Sequence, residues 1–109
     1  MLPYCVYILF SEKDHYLYIG YSANLPVRLE THNAGGSKST APRRPLKLIF
    51  CEYYLFQEDA RRREMYFKTS MGKKAIKNML RDTLGKLNYK GSMKELIIDS
   101  EMEENVFQS

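Results

Sequence analysis

Two apolar, aromatic runs near the start of the chain, separated by five polar residues, constrain the fold most. Residues 4–10 and 16–21 are rich in valine, isoleucine, phenylalanine and tyrosine, residue types that favour β-strands. The polar residues 11–15 between them suit the turn that joins two neighbouring strands. The sequence therefore predicts a β-hairpin, and residues 46–56 repeat the same composition as a third strand.

Three later segments carry the signals of helices. Asn24 can cap a helix whose first turn holds Pro26, at a position where the missing N–H would have no helical partner. A second segment opens on two acidic residues, which the positive end of a helix dipole favours, and a third has an apolar face. Gly72 is expected to break the chain between these two. We predict helices at residues 24–34, 58–70 and 73–82.

These elements predict an α/β (α+β) fold, in which helices flank a three-stranded, mainly antiparallel sheet. At 109 residues the chain has the length of one domain. We expect residues 1–85 to form that domain. Residues 86–109 are expected to be an acidic, partly disordered extension, in which Met93, Leu96 and Ile97 could form a short amphipathic turn.

The charge is divided unevenly along the chain. The formal net charge is +4, but residues 92–109 hold one lysine and five acidic residues, so this tail carries −4 and residues 1–91 carry +8. A basic body attracts polyanions, which makes nucleic acid the expected partner and an anionic membrane surface the second choice. A lysine-rich surface that binds nothing is the other interpretation of this charge.

The two cysteines, Cys5 and Cys51, both lie inside apolar runs. Such positions suit small buried side chains better than zinc ligands or a disulfide framework. No segment approaches the length of about eighteen apolar residues that a membrane span needs, and the first residues lack the pattern of a signal peptide. We therefore expect a cytoplasmic protein.

Four residues are spaced along these elements as a candidate site. Tyr7 and Tyr18 lie on the two strands of the predicted hairpin, where their side chains could share a face and point their hydroxyls toward one site. Arg28 and His32 lie one turn apart on the first helix, so both could reach one phosphate. Phenols can activate water, a guanidinium can bind phosphate and an imidazole can move a proton. Each residue alone is more often a core tyrosine or part of a helix surface.

The order of these residues resembles the signature of the GIY-YIG nuclease superfamily, over about residues 4–80. Tyr18-Ile19-Gly20 matches the second name-giving triplet, and Cys5-Val6-Tyr7 stands where the first has Gly-Ile-Tyr. The resemblance implies the GIY-YIG endonuclease fold, and it implies that Gly20 lets a strand and the catalytic helix approach closely. The family's usual asparagine has no assigned counterpart among the asparagines of this chain. The resemblance implies catalytic roles for Tyr7, Tyr18, Arg28 and His32.

Glu64 stands where the family keeps its metal-binding glutamate. The resemblance therefore implies one divalent ion, Mg²⁺ or Mn²⁺, recruited mainly with the substrate. The ordinary interpretation of Glu64 and Lys68, four residues apart, is a salt bridge on the helix surface worth a few tenths of a kcal/mol.

The segment that begins at Gly35-Gly36 resembles the G-x-K-x-T-x-x-R-R-P-x-x-L pattern of short bacterial GIY-YIG proteins of the UPF0213 type. We predict a basic surface loop that contacts phosphates without reading bases. Further basic residues on the second and third predicted helices could extend this surface. The predicted nucleic-acid contacts are Lys38, Thr40, Arg43, Arg44, Lys68, Lys73 and Lys74.

The function implied by the resemblance is metal-dependent hydrolysis of phosphodiester bonds in DNA, including structured repair or recombination intermediates. Tyr7, helped by His32 and Tyr18, would activate a water molecule, while Arg28 and a metal held by Glu64 would offset the developing charge. The alternative is a nucleic-acid-binding or adaptor protein that has this fold and little activity of its own. DNA is expected rather than RNA. We expect a monomer or weak homodimer, with or without a targeting protein.

Overall fold

The computed structural model describes residues 1–89 and the backbone of residues 96–98. Four strands form one sheet in the order β3-β1-β2-β4. The strands are β1 (Tyr4–Ser11), β2 (Leu17–Ser22), β3 (Leu46–Tyr54) and β4 (Leu96–Ile98). The helices are α1 (Leu25–Asn33), α2 (Gln57–Phe67), α3 (Ser70–Met79) and α4 (Arg81–Lys86), with a 3₁₀ turn at Ala41–Arg43. Among the described residues, no helix has the length and apolar character of a membrane span.

The predicted hairpin and the antiparallel arrangement of the first three strands are confirmed. β1 pairs with β2 on one side and with β3 on the other, so Tyr7 lies opposite Gly20 and also opposite Cys51. Every residue of β1 after Tyr4 is buried. A central strand packed on both faces reads as a continuous apolar run, which explains the composition of residues 4–10.

β4 is a fourth strand that the sequence analysis did not predict. It pairs in parallel with β2, with Leu17 opposite Leu96. The amphipathic turn expected around Leu96 and Ile97 is therefore wrong, because these residues form a strand, and Met93 lies outside the described residues. Pairing with β4 uses backbone groups on the outer side of β2, a long-range contact that local composition does not indicate.

The helix break predicted at Gly72 is also wrong. α2 ends at Phe67, and the side chain of Thr69 caps α3 by accepting a hydrogen bond from the Gly72 N–H at 3.0 Å. Gly72 is buried in the first turn of α3, where a Cβ would overlap the backbone of Tyr66. This glycine permits close packing of α3 on the end of α2 rather than ending a helix.

Alternate side chains of β1 and β2 point to opposite faces of the sheet. On one side, here called the α2 face, Val6 and Ile8 pack with residues of α2, α3 and α4. On the other side, here called the α1 face, Tyr7 and Tyr18 pack with Leu25 of α1. The two predicted catalytic tyrosines therefore share a face, as their spacing indicated.

The cysteines differ in exposure. Cys5 on the central strand is buried, as expected, whereas Cys51 is exposed. The expectation of two buried cysteines is wrong for Cys51 because β3 lies at the edge of the sheet, where its cover is incomplete. Both thiols are free.

Candidate active site

α1 has defined ends, and these place His32 against the sheet. At the start of the helix the Asn24 side chain accepts a hydrogen bond from the Val27 N–H at 3.3 Å, and Pro26 occupies the first turn. After its last turn Gly35 adopts a positive φ of 81° and donates its N–H to the His32 carbonyl at 3.1 Å. A left-handed glycine is the usual way to end a helix. The predicted cap and helix end are thus both present.

His32 connects the side chains of Tyr7 and Thr40. Its Nε2 atom lies 3.1 Å from the Tyr7 hydroxyl, and its Nδ1 atom lies 2.7 Å from the Thr40 hydroxyl. All three side chains are at most 1% exposed. A neutral imidazole has one N–H donor and one acceptor, while a hydroxyl can serve as either. The hydrogen-bond chain can therefore run in either direction, and both ring nitrogens are satisfied in each case.

Burial and, to a smaller extent, the nearby positive charge of Arg28 together lower the pKa of His32 from 6.5 to about 4. The imidazole is therefore neutral near pH 7. A neutral imidazole can accept a proton from a phenol, which an imidazolium cannot. The burial of His32 thus keeps it in the form that general-base chemistry requires.

Gly20 provides the space in which the Tyr7 ring lies. The two residues are directly opposite each other on β1 and β2. A Cβ at Gly20 would lie 2.5 Å from both Cζ and the hydroxyl oxygen of Tyr7. Any larger residue would displace the hydroxyl from His32. The absence of a side chain at Gly20 thus makes room for the Tyr7 ring. It does not serve the close approach of a strand and a helix that the resemblance implied.

Tyr18 shares the α1 face with Tyr7, but its hydroxyl has a different partner. It donates a hydrogen bond to Oδ2 of Asp14 at 2.7 Å. Burial, followed by the hydrogen bond and the negative charge of Asp14, raises the pKa of Tyr18. The phenol therefore stays protonated and is not prepared to act as a base.

Asp14 is a residue of this site that the sequence analysis missed. It lies in the turn between β1 and β2, where Oδ1 accepts a hydrogen bond from the Tyr16 N–H at 2.9 Å. Its Oδ2 atom faces Tyr18 and lies 3.4 Å from Nε of Arg43. Aspartate is common in turns for local reasons, so only its position four residues before Tyr18 could have indicated a wider role.

Residues 37–45, here called the basic segment, are fastened to the α1 face at two points. Thr40 contacts His32 at one end. At the other end Ser11 donates its hydroxyl to the Arg43 carbonyl at 2.6 Å, and the Arg43 side chain pairs with Asp14. The segment is therefore held across the face that carries the tyrosines.

The seven predicted nucleic-acid contacts divide by exposure. Thr40 is fully buried, and the Lys68 side chain is only 9% exposed, so it reaches the surface with a small part of its length. Lys73 and Lys74 lie on α3, on the other side of the sheet from the basic segment. The exposed or half-exposed members are Lys38, Arg43, Arg44, Lys73 and Lys74.

Glu64 is buried on α2. The buried residues of this helix are Ala60, Glu64 and Phe67, a spacing that turns one side of the helix toward the sheet. The Glu64 side chain is 1% exposed, and its Oε2 atom accepts a hydrogen bond from Lys68 Nζ at 3.1 Å. The interpretation of this pair as a surface salt bridge is wrong, because Glu64 is buried by the packing of α2 and the Lys68 side chain is only 9% exposed.

The Glu64 carboxylate suits a hard divalent cation, which prefers oxygen ligands. The position against Oε2 already holds a cation, the ammonium group of Lys68. Within residues 1–89 and 96–98, no three His, Cys, Asp or Glu residues cluster as a ready-made metal site. Glu64 therefore fits the role of a single protein ligand for an ion whose other ligands are water and substrate, once the ammonium has moved.

Comparison with known proteins agrees with this arrangement of residues. The profile of the GIY-YIG catalytic domain matches residues 3–78. UPF0213 protein SH2523 of Staphylococcus haemolyticus is 41% identical over 78 residues, which cover 71% of this chain and 94% of that protein. UPF0213 protein YazA of Bacillus subtilis is 44% identical over 63 residues, which cover 57% of this chain and 64% of that protein. No solved structure shows a significant match. The chain belongs to the GIY-YIG family.

Proposed function

We propose that this protein is a metal-dependent endonuclease that hydrolyses phosphodiester bonds of DNA in the cytoplasm. The observation that carries the proposal is the buried hydrogen-bond chain from Tyr7 through His32 to Thr40, in a member of a nuclease family. Binding a phosphate backbone requires positive charge at the surface. Backbone binding has no need of a neutral imidazole that contacts a phenol. Proton transfer from the phenol does need such an acceptor.

The proton path that we propose begins at Tyr7. If the Nδ1–H of His32 donates to Thr40, the Nε2 atom is left to accept the Tyr7 hydroxyl proton. Tyr7 could then take a proton from the water that attacks phosphorus while it passes its own to His32. Tyr18, which donates its proton to Asp14, would help to hold the basic segment in place rather than act as a base.

Arg28 links substrate binding to the basicity of His32. The guanidinium is half-buried, and its positive charge contributes to the low pKa of His32. A substrate phosphate bound by Arg28 would offset that charge, so the pKa of His32 would rise when substrate is present. In the transition state the same guanidinium would stabilise the negative charge on the phosphoryl oxygens.

The remaining groups would hold the metal and the DNA backbone. Glu64 would be the protein ligand of the divalent ion, which when bound supplies Lewis-acid stabilisation of the phosphoryl and leaving oxygens. The exposed cations of the basic segment, Lys38, Arg43 and Arg44, would contact phosphates on either side of the scissile bond. These contacts carry no base readout, so we propose a substrate recognised by shape rather than by sequence.

The test is a cleavage screen over duplex, branched and single-stranded DNA and RNA with Mg²⁺ or Mn²⁺. Arg28→Ala should lower the single-turnover rate by about a hundredfold, the usual effect of losing one transition-state charge contact. Arg62→Ala is the matched control, because this arginine is exposed on α2 and pairs with Asp59, and it should cleave at the wild-type rate. Binding of nucleic acid without cleavage of any substrate would contradict the enzyme and favour the adaptor alternative.

A further inference from the structure

The buried pair of Glu64 and Lys68 sets a condition on how a metal ion can bind. The Lys68 ammonium lies 3.1 Å from Oε2 of Glu64. The Lys68 side chain is 9% exposed and the Glu64 side chain is 1% exposed. Lys68 also follows the last residue of α2 directly, where the negative end of the helix dipole favours a cation. The ammonium is therefore well stabilised in its present position.

A divalent ion would compete with the ammonium for the charge of this carboxylate. The single negative charge of Glu64 is already offset by Lys68. The guanidinium of Arg61 lies 5.5 Å from the ring centroid of Tyr21. The charges of Arg61 and Glu64 both affect the pKa of the Tyr21 hydroxyl, in opposite directions, so Arg61 adds a second positive charge near Glu64. A dehydrated divalent ion entering a buried site without net negative charge would be repelled. The ion should therefore bind Glu64 more tightly once the ammonium has left.

A departing ammonium needs another anion. Lysine has a long, flexible side chain, and the small exposed fraction of Lys68 shows that it already reaches the surface. A phosphodiester is the anion present when substrate binds. We propose that Lys68 is the resident counter-ion of Glu64 and that a substrate phosphate releases it, so that the metal ion and DNA bind jointly. This inference rests on the proposed function and adds how the metal ion and the DNA come together at the site.

Joint binding has a measurable consequence. If DNA raises the affinity of Glu64 for a metal ion, the metal ion raises the affinity for DNA by the same factor. Replacement of Lys68 by glutamine should remove this coupling, because a neutral amide can still donate a hydrogen bond to Glu64 but does not repel a cation. The metal site would then be available without DNA.

The experiment is a titration of the full-length protein with Mn²⁺, followed by the electron paramagnetic resonance signal of free Mn²⁺, with and without a short phosphorothioate DNA duplex. Without DNA, Lys68→Gln should bind Mn²⁺ about tenfold more tightly than the wild type. The duplex should tighten Mn²⁺ binding to the wild type and have little effect on Lys68→Gln. Lys77→Gln, a change at an exposed lysine of α3 with no assigned role, should behave as the wild type, and Glu64→Gln should lose the site.

Mn²⁺ affinity of Lys68→Gln that equals or falls below that of the wild type would overturn the inference, as would full Mn²⁺ binding by Glu64→Gln. Circular dichroism checks the fold of each variant. Lys68→Arg gives an independent test that keeps the ion pair. Because arginine pairs more firmly with a carboxylate than lysine does, this variant should bind Mn²⁺ more weakly than the wild type. Unchanged or tighter Mn²⁺ binding by Lys68→Arg would also overturn the inference. This experiment measures binding and not cleavage. If the protein shows the coupling but cleaves no nucleic acid, the inference about Lys68 stands and the proposed nuclease activity is wrong.

Discussion

Two helices, α1 and α2, each carry a pair of polar side chains four residues apart and pack on opposite faces of the sheet. On α1 the buried member is His32, which is neutral and lies between two hydroxyl groups. On α2 the buried member is Glu64, which lies against an ammonium group. The same helical spacing thus produces a group suited to proton transfer on one helix and a group suited to holding charge on the other. The difference lies in the partners: His32 contacts Tyr7 and Thr40 from other parts of the chain, whereas Glu64 contacts Lys68 four residues away.

The two arrangements respond to different changes. A buried neutral network is stable when each donor and acceptor is satisfied, and losing one hydroxyl leaves one unsatisfied polar atom. A buried ion pair is more sensitive, because removal of one charge leaves the other in a poorly solvated position. The comparison is therefore tested by removing charge on α2, by protonating His32 on α1 and by removing the hydroxyl of Thr40 that contacts His32.

The largest effect on stability is expected from Glu64→Gln. This change preserves the shape of the side chain but removes the negative charge next to Lys68, so it should lower the free energy of unfolding by about 4 kcal/mol. Urea denaturation at pH 7 measures it. Glu30→Gln, an exposed change on α1, should stay within about 0.5 kcal/mol of the wild type. Equal effects of the two substitutions would show that the ion pair on α2 contributes no more than a surface pair.

The protonation of His32 should have a slightly smaller effect. Its pKa is about 4 in the folded protein and 6.5 as the ordinary value, so between these values the unfolded chain binds more protons than the folded one. The contribution is fully present above pH 6.5 and is lost as the pH falls toward 4, by about 3 kcal/mol at most. Urea midpoints of the wild type and His32→Gln measured across this range test it. Identical pH slopes in both proteins would contradict the low pKa.

The smallest effect is expected at Thr40. Thr40→Val removes the hydroxyl that contacts Nδ1 of His32 and should lower stability by about 1–2 kcal/mol. If this hydroxyl sets the imidazole tautomer, the same change should reduce the cleavage rate by about tenfold. Thr40→Ser retains a hydroxyl and should recover most of the rate. A serine variant as slow as the valine variant would assign Thr40 a packing role only.

Much of the fold could be predicted because it depends on local patterns. The hairpin, the Asn24 cap and the glycine that ends α1 each follow from neighbouring residues. The strand at residues 96–98 and the place of Gly72 within α3 depend on contacts between distant segments. Such contacts leave no periodic signal in a single sequence, so both predictions failed.

The site divides in the same way. Tyr7 and His32 could be selected by type and spacing, but their contact joins residues 25 positions apart, and its second partner, Thr40, comes from the basic segment. The sequence around Thr40 therefore predicts phosphate binding, whereas the structure places this side chain in the core. The sequence favours a helix-surface position for Glu64, because a charged residue is rarely buried unless it is paired. Its burial could be recognised only with the positions of Ala60 and Phe67 on the sheet.

The most direct test of the central claim, that the Tyr7 hydroxyl transfers a proton with the help of His32, is the single-turnover cleavage rate of Tyr7→Phe at saturating DNA with Mn²⁺. This change keeps the ring over Gly20 and removes only the hydroxyl that contacts His32. Tyr16→Phe, the same change at a half-buried position, is the control. We predict a rate at least about a hundredfold lower for Tyr7→Phe, with unchanged DNA affinity, and a wild-type rate for Tyr16→Phe. Cleavage by Tyr7→Phe at the wild-type rate would contradict the account.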